Sequence, residues 1–484
     1  MPFERLGFLD LVEDLILLVM GDYCDVKSVV RIGQTSKYLH RLAFSHAVWL
    51  SLVAQLVERR IIDLRPGNEN LETDQLIREV KCTVHGPTTW SHPSIPPPNI
   101  LRKTVKHFKR LGRRLAGPLA SERLIYPSQS RRVVLHPQNL TGVLSSLWIR
   151  KVELLPGGEH VLFLAAGRLE CWRVSEDKLV WTHVCAIRDT SVYDFAADII
   201  KDNEVAICIC QNVQTDPKPR KRFIEITTLD LNNGNSTLVL VIRAPDIALR
   251  GGMYNSCTVC GNMAAVVYDR RILLLINWLE HSYIVVETFT HELNSVVFIP
   301  HYIVLKLRQT LTACALASFD TLWAPVDGIN RVSNYTLLED CPIITLDDIP
   351  LQRPCSVFSR KDLWVYKSPT EHGVFRLWAY LHMVGSRTEL LRGYELTVQA
   401  SGISWECRGS TPTPEFSYPF GLLYSGHVVT GTREVLPPIW QGGTATIITL
   451  DQVARRSTTF HVSPYSGTVT CSTEEGEIIL VSYD

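Results

Sequence analysis

Gly158-Glu159-His160-Val161-Leu162-Phe163-Leu164-Ala165-Ala166-Gly167-Arg168-Leu169-Glu170-Cys171-Trp172-Arg173-Val174 is the stretch on which the fold turns. Gly158 to Leu164 reads as a strand, Ala166-Gly167 as a tight turn, and Arg168 to Val174 as a second strand containing Trp172. Leu179-Val180-Trp181 follows as a third, so the unit is a meander. The theme returns at Met263 to Tyr268, Arg271 to Trp278 and Tyr283 to Glu287; at Asp362 to Lys367 with Val374 to Tyr380; and at Thr468 to Ser472 with Glu477 to Tyr483. Weaker copies lie around Val205 to Cys210 with Phe223 to Leu231, around Val297 to Ala317, and around Val428 to Leu450.

Corresponding turns recur about every 50 residues, in the range of WD-like and kelch repeats. Residues 131–484 divided by that period give about seven blades of a β-propeller. It resembles the diverged WD-type set, without the Trp-Asp dipeptide of orthodox members. A pair of β-sandwiches is the alternative all-β solution. A propeller avoids open sheet edges by pairing its last blade with a strand from its beginning, which places the closing strand within Arg131 to Arg150.

Upstream of the strands the period is helical. Asp10-Leu11-Val12-Glu13 has the form of a capping box, with Asp10 as N-cap and Glu13 reaching back, ahead of a helix bearing Leu11, Leu15, Leu18 and Val19. Gly21-Asp22-Tyr23-Cys24 breaks it, Asp25 caps a second helix with Val26, Val29, Val30 and Ile32, a third follows Ser36, and Ser45 caps a fourth bearing Trp49, Leu52, Val53 and Leu56. Asp10 to Leu15, Tyr23 to Ser28, Gln34 to Lys37 and Val48-Trp49 resemble the F-box in order and spacing, over roughly Leu9 to Leu56. The family usually has proline where this chain has Val12. The resemblance implies docking to the Skp-family adaptor of an SCF-type cullin-RING ubiquitin ligase, through Leu11, Val12, Leu15, Val29, Ile32 and Trp49.

The expected organisation is multidomain, α plus all-β: a helical F-box at 1–60, a helical linker at 61–130 and a propeller at 131–484. In the linker, Glu72 to Lys81 is helix-like, and Arg102 to Arg114 packs seven Lys or Arg into thirteen residues along a stripe of Val105, Phe108 and Leu111. A chain of 484 residues is too long for one core, and with 49 basic and 49 acidic side chains nothing global steers it to nucleic acid or an anionic membrane. The apolar run Leu15 to Met20 is flanked by acids and lacks the basic leader of a signal peptide. The 13 cysteines show no framework spacing, so reduced thiols in cytosol or nucleus are expected.

Hydrolase, zincin and phosphate-loop signatures are absent, so a non-catalytic protein without cofactor is expected. Cys257 and Cys260 stand alone, short of the four ligands zinc needs, and Cys208 and Cys210 share one face of a strand and read as core. Lys218, Arg220, Lys221 and Arg222 put four cations into five residues, the best contact loop for a protein target with an acidic or phosphorylated segment. The leading expectation is a substrate receptor of the ligase. A non-degradative F-box scaffold and, in another class, a propeller hydrolase are the alternatives.

Overall fold

The computed structural model describes residues 11–63, 70–90, 129–137, 149–201, 203–213, 222–244, 254–288, 292–308, 310–326, 335–348, 362–381, 388–414, 419–430, 434–436, 438, 448–449, 459–473 and 476–483. Its N-terminal part is helical: α1 (Glu13–Leu18), α2 (Val26–Gly33), α3 (Lys37–Ala43), α4 (His46–Glu58) and α5 (Thr73–His85). One cap is as read from the sequence: Asp25 accepts from Ser28 N at 2.7 Å; the third helix does follow Ser36, whose hydroxyl accepts from Leu39 N at 3.2 Å. Two caps are not as read. α1 starts at Glu13 with Val12 as its N-cap and no side-chain cap, and Glu13 accepts from Arg41 Nη2 at 3.1 Å rather than reaching back; Asp10 lies outside the described residues. Ser45 is the N-cap of α4, yet its hydroxyl makes no cap hydrogen bond. Gly21 and Asp22 do not stop the first helix outright but widen it into a π turn, Val19–Tyr23, held when Ser51 donates to the Gly21 carbonyl and the Asp22 carboxylate. α5 has a capping box between Glu72 and Gln75 and packs Leu76 and Val80 into the same core as Ile16, Val29, Trp49 and Leu52. No helix among the described residues is long and apolar enough to cross a membrane.

Beyond the helices the chain forms sheets in sequence order, seven of them among the described residues, antiparallel except where Tyr335–Leu337 joins sheet 3 in parallel. Sheet 1 is Ile149–Leu154, His160–Ala165, Arg168–Arg173 and Lys178–Thr182; sheet 2 is Thr190–Lys201, Glu204–Val213, Arg222–Asp230 and Ser236–Arg243. Sheet 3 is Tyr254–Cys260, Met263–Tyr268, Ile272–Asn277 and Ser282–Glu287, extended by Ala324–Pro325 and Tyr335–Leu337; sheet 4 is Leu293–Ile299, Tyr302–Leu307, Thr310–Ala315 and Ile343–Asp348. Sheet 5 is Leu363–Lys367, Val374–Leu381, Thr388–Gln399 and Gly402–Pro414, and sheet 6 is Pro419–Leu422, Val428–Thr430, Glu434–Leu436 and Ile448–Thr449. Sheet 7 is Phe460–Val462, Val469–Ser472 and Ile478–Tyr483, completed by Gln129–Leu135 from the start of the β region. The last pairing runs Arg131↔Ser482 to Leu135↔Ile478, so the expected closing strand is present.

Each sheet buries both faces against its neighbours. One apolar cluster fills each junction: Leu164 and Phe195 between sheets 1 and 2, Cys208 and Val266 between 2 and 3, Leu275 and Leu305 between 3 and 4, Val304 and Leu377 between 4 and 5. Trp378 and Leu422 join 5 to 6, Val429 and Cys471 join 6 to 7, and Leu480 and Phe163 bring 7 back to 1. A set of sheets whose last member packs on its first is a closed, propeller-like ring. Most of the sequence meanders correspond to the second and later strands; Asp362 to Lys367 is the first strand of sheet 5, and the weak copy from Val297 begins in the first strand of sheet 4. The first strands of sheets 1, 2, 3, 6 and 7 were not among them; that of sheet 1 borders a central cavity and mixes charge with apolar residues, as in Ile149-Arg150-Lys151-Val152-Glu153-Leu154.

Candidate functional site

Five turns that join a first to a second strand meet the helical part. Lys27 donates its backbone N–H to the Thr370 carbonyl at 3.1 Å, and its ammonium stands 2.6 Å from Glu371. Arg59 donates to the Ser368 carbonyl at 2.6 Å and Arg60 to the Lys201 carbonyl at 3.4 Å, while Asp63 accepts from Gly157 N at 3.1 Å. Tyr465 of sheet 7 packs against the helical core and donates to the Lys367 carbonyl at 2.9 Å. Gly86 closes α5 at φ +83° directly over sheet 6, where a Cβ would stand 2.7 Å from His427 Nδ1. These turns belong to sheets 5, 6, 7, 1 and 2, which are contiguous around the ring. One end of the ring is therefore covered by the helices.

The other end is formed by the connections from second to third strands. In chain order, the described residues there include Arg168, Arg222, Arg270 with Arg271, and Arg308. Lys218, Arg220 and Lys221 lie outside the described residues, as does the basic segment 102–114. Of the predicted target contacts only Arg222 is thus placed, half-buried at the start of its strand and paired in register with Asn212. Acids partly balance this end. Glu292 is 3.9 Å from both Arg270 and Arg308, and Glu170 is 3.4 Å from Arg168. Burial and Asp194 raise the pKa of the Tyr193 hydroxyl, and Arg150 and Arg222 are near enough to oppose them. Among the described residues this end thus carries five arginines, three of them within 4 Å of Glu170 or Glu292.

First strands of six sheets surround a central cavity of about 530 Å³, lined among others by Arg150, Lys151, Asp194, Cys257, Lys367 and His461. Lys151 crosses from sheet 1 to sheet 2, 2.9 Å from Asp194 Oδ1, with its ammonium 4.6 Å from the Phe195 ring centroid. Burial disfavours its charge, but Asp194 and Glu153 outweigh that and hold its pKa above the usual lysine range. Deeper in sheet 2, Glu225 is engaged by Gln211 at 2.6 Å and Thr227 at 3.1 Å, with His183 at 3.5 Å. No cluster of three or more His, Cys, Asp or Glu able to hold a metal occurs among the described residues.

On the helical part, apolar groups face solvent. Val12 (65 %), Leu15 (46 %), Leu18 (48 %), Tyr23 (77 %) and Tyr38 (41 %) are exposed within one short stretch. Of the sequence-predicted adaptor residues, Val12 and Leu15 belong to this patch; Leu11 and Ile32 are half-buried against the helical core, and Val29 and Trp49 lie inside it. Leu18, Tyr23 and Tyr38 were not among the adaptor residues expected from the sequence. Tyr23 and Tyr38 stand at a helix break and beside a cap, where an aromatic has no core to enter, and that was the available signal.

No family model matches the chain, and no curated protein matches it. Among solved structures it is similar to the WD40 domain of SCAP from fission yeast, at 9% identity over 69% of this chain and 84% of that one, with a TM-score of 0.40. It is also similar to the computationally designed Ika8 protein, at 8% identity over 74% of this chain and 98% of that one, with a TM-score of 0.30.

Proposed function

We propose that this protein is the substrate-recognition adaptor of an SCF-type cullin-RING ubiquitin ligase. The division is an F-box at 1–60, a linker at 61–130 and a seven-bladed propeller at 131–484. In this reading the F-box holds the Skp-family adaptor through the patch of Val12, Leu15 and Leu18, with Val29 and Trp49 supporting it from within. The target, a protein with an acidic or phosphorylated segment, docks on the arginine-bearing end of the ring, to which Lys218, Arg220, Lys221 and Arg222 contribute. The chain itself does no covalent chemistry; tethering raises the concentration of target near the ubiquitin-charged enzyme.

The observation that carries the reading is the separation of the two surfaces. Exposed apolar side chains on a small helical unit call for a partner, and the helices occupy one end of the ring while Arg168, Arg222, Arg270, Arg271 and Arg308 stand at the other. The test is co-purification with the proteasome blocked. Leu15→Asp with Leu18→Asp alters exposed positions and leaves the fold intact, so loss of the Skp-family adaptor is expected; retention by the folded variant rejects the F-box. Reversal of Arg220, Lys221 and Arg222 to Glu is expected to reduce target capture in a salt-sensitive way and to leave adaptor binding unchanged.

A further inference from the structure

Turns from two neighbouring sheets bring their arginines to one carboxylate. Arg270 lies in the turn between the second and third strands of sheet 3, and Arg308 follows the second strand of sheet 4 at the matching place. Glu292 stands in the connection from sheet 3 to sheet 4, directly before Leu293. That connection is fastened to the turn of sheet 3 on both sides of the carboxylate: Thr288 N donates to the Arg271 carbonyl at 2.8 Å and Leu293 N to the Arg270 carbonyl at 2.7 Å. Glu292 Oε2 is 3.9 Å from Arg270 Nη1, and its Oε1 is 3.9 Å from Arg308 Nη1. A charge-assisted hydrogen bond from guanidinium to carboxylate spans about 2.7–2.9 Å. Glu292 therefore bridges the two cations by charge alone, without a hydrogen bond at either contact. Arg308 Nε is buried and has no hydrogen-bond partner among the described residues. The side chains of Arg270, Glu292 and Arg308 are 25 %, 33 % and 37 % exposed, so solutes reach them.

We infer that Glu292 is an internal competitor at an anion subsite made by Arg270 and Arg308, and that the ligand which displaces it is a phosphate monoester on the target. The inference rests on the reading of this end of the ring as the target-binding face, and it chooses between the acidic and the phosphorylated segment named there. A target carboxylate brings one charge and two oxygens, the same as the group already in place, and Glu292 has the advantage of being tethered beside the pair. A phosphate monoester brings nearly two charges at neutral pH and three acceptor oxygens. Each arginine fork matches two such oxygens, so the phosphate accepts from both guanidiniums, the Arg308 Nε included. Glu292 gives up only two exposed contacts without hydrogen bonds, which are weak. Its effect is to lower the affinity of every anion by the fraction of time the pair stands open. The arginines supply the preference for phosphate, and Glu292 sets the threshold that a lone carboxylate fails to pass.

Fluorine NMR on the full chain at pH 7.5, with 4-fluorophenyl phosphate and 4-fluorobenzoate as probes of like size, measures both affinities by line broadening. The unaltered chain is expected to bind the phosphate more tightly than the carboxylate. Glu292→Gln keeps the shape of an exposed side chain and removes the competitor, so both probes are expected to bind about three- to tenfold more tightly, the worth of two exposed ion pairs, with their ratio kept. In the Arg270→Gln/Arg308→Gln chain, checked for an unchanged melting midpoint, binding is expected to disappear, and adding Glu292→Gln is expected not to restore it. An affinity that Glu292→Gln leaves unchanged or weakens overturns the proposal, as does phosphate binding that survives loss of both arginines, or a carboxylate probe that binds the unaltered chain as tightly as the phosphate. The chain is used alone, so loss or retention of the Skp-family adaptor has no bearing on the result, and a chain that captures its target while failing here keeps the wider reading and loses the subsite.

Discussion

Trp90 is the place to test whether the helices are part of the ring's architecture. It ends the short 3-10 turn Thr88–Trp90 just after α5, and its side chain is 2 % exposed among Leu423, Val429, Val462, Val469 and Tyr483, at the junction of sheets 6 and 7. Its ring lies 5.4 Å from Tyr483 and 5.8 Å from His427. Sheet 6 has described strands of only four, three, three and two residues, so this junction depends on a side chain supplied from outside the sheets. Trp90→Ala deletes that side chain and leaves a cavity, at a cost of about 3–5 kcal/mol. Unfolding entropy of about 2.1 cal/mol/K per residue over about 350 ring residues is about 0.7 kcal/mol/K, so the midpoint falls by about 4–7 °C. Calorimetry measures the shift, and circular dichroism at 25 °C checks that the variant is folded. Trp90→Phe keeps most of the buried area and is expected to recover more than half of the loss. A midpoint within about 1 °C of the unaltered chain refutes the reasoning, because the indole then fills nothing the ring needs.

Two further outcomes follow from local features. Burial, with the Arg173 guanidinium adding to it, lowers the His160 pKa to about 4, and burial alone does the same for His427. Both are neutral when folded, while the unfolded chain takes up protons below about pH 6.5, so stability is complete above that value and is lost as pH falls toward 4, by about 2 kcal/mol per residue at pH 5; urea unfolding at pH 7 and 5 measures it, and a His160→Gln/His427→Gln chain should lose most of the difference. Val12 has φ −65°, the angle a proline ring fixes, so Val12→Pro is expected to stabilise α1 by about 0.4–1 kcal/mol, read as slower amide exchange in Leu15 to Leu18, and a faster exchange there would contradict it.

What was legible in the sequence was what local chemistry determines. Second and third strands are buried on both faces and so appear as unbroken apolar runs, Val161 to Leu164 and Ile272 to Ile276. The first strand of sheet 1 borders the cavity, and its mixed pattern gave no such signal, whereas Leu363–Lys367 of sheet 5 was apolar enough to be read. Sheet 6 was a weak copy because its strands are short. The cap read from Asp25 holds because its carboxylate reaches an amide three residues on, as the Ser36 hydroxyl also does, whereas Ser45 faces the same opportunity and does not use it. The placement of the helices on the ring had no local signature at all: Lys27 and Glu371 are 344 positions apart. The same holds for the arginines at the opposite end, each of which sits in an ordinary turn until the ring brings the turns together.

The relative strengths of the contacts between helices and ring decide what holds the two ends apart. Lys27 and Glu371 are each about a third exposed, and a pair of that kind is worth at most about 1 kcal/mol and weakens with salt. Arg59 and Arg60 donate to carbonyls, which water replaces at modest cost. The remaining contacts are packing. Trp90 enters a core of the ring, Tyr465 leaves the ring to join the helical core while stacking on Tyr424 at 5.9 Å, and Gly86 permits an approach that any side chain would block. Apolar and steric contacts do not screen. The angle between the apolar patch of the helices and the cationic end of the ring is therefore set by shape rather than by charge, and it persists at salt concentrations that would release a partner held by the arginines.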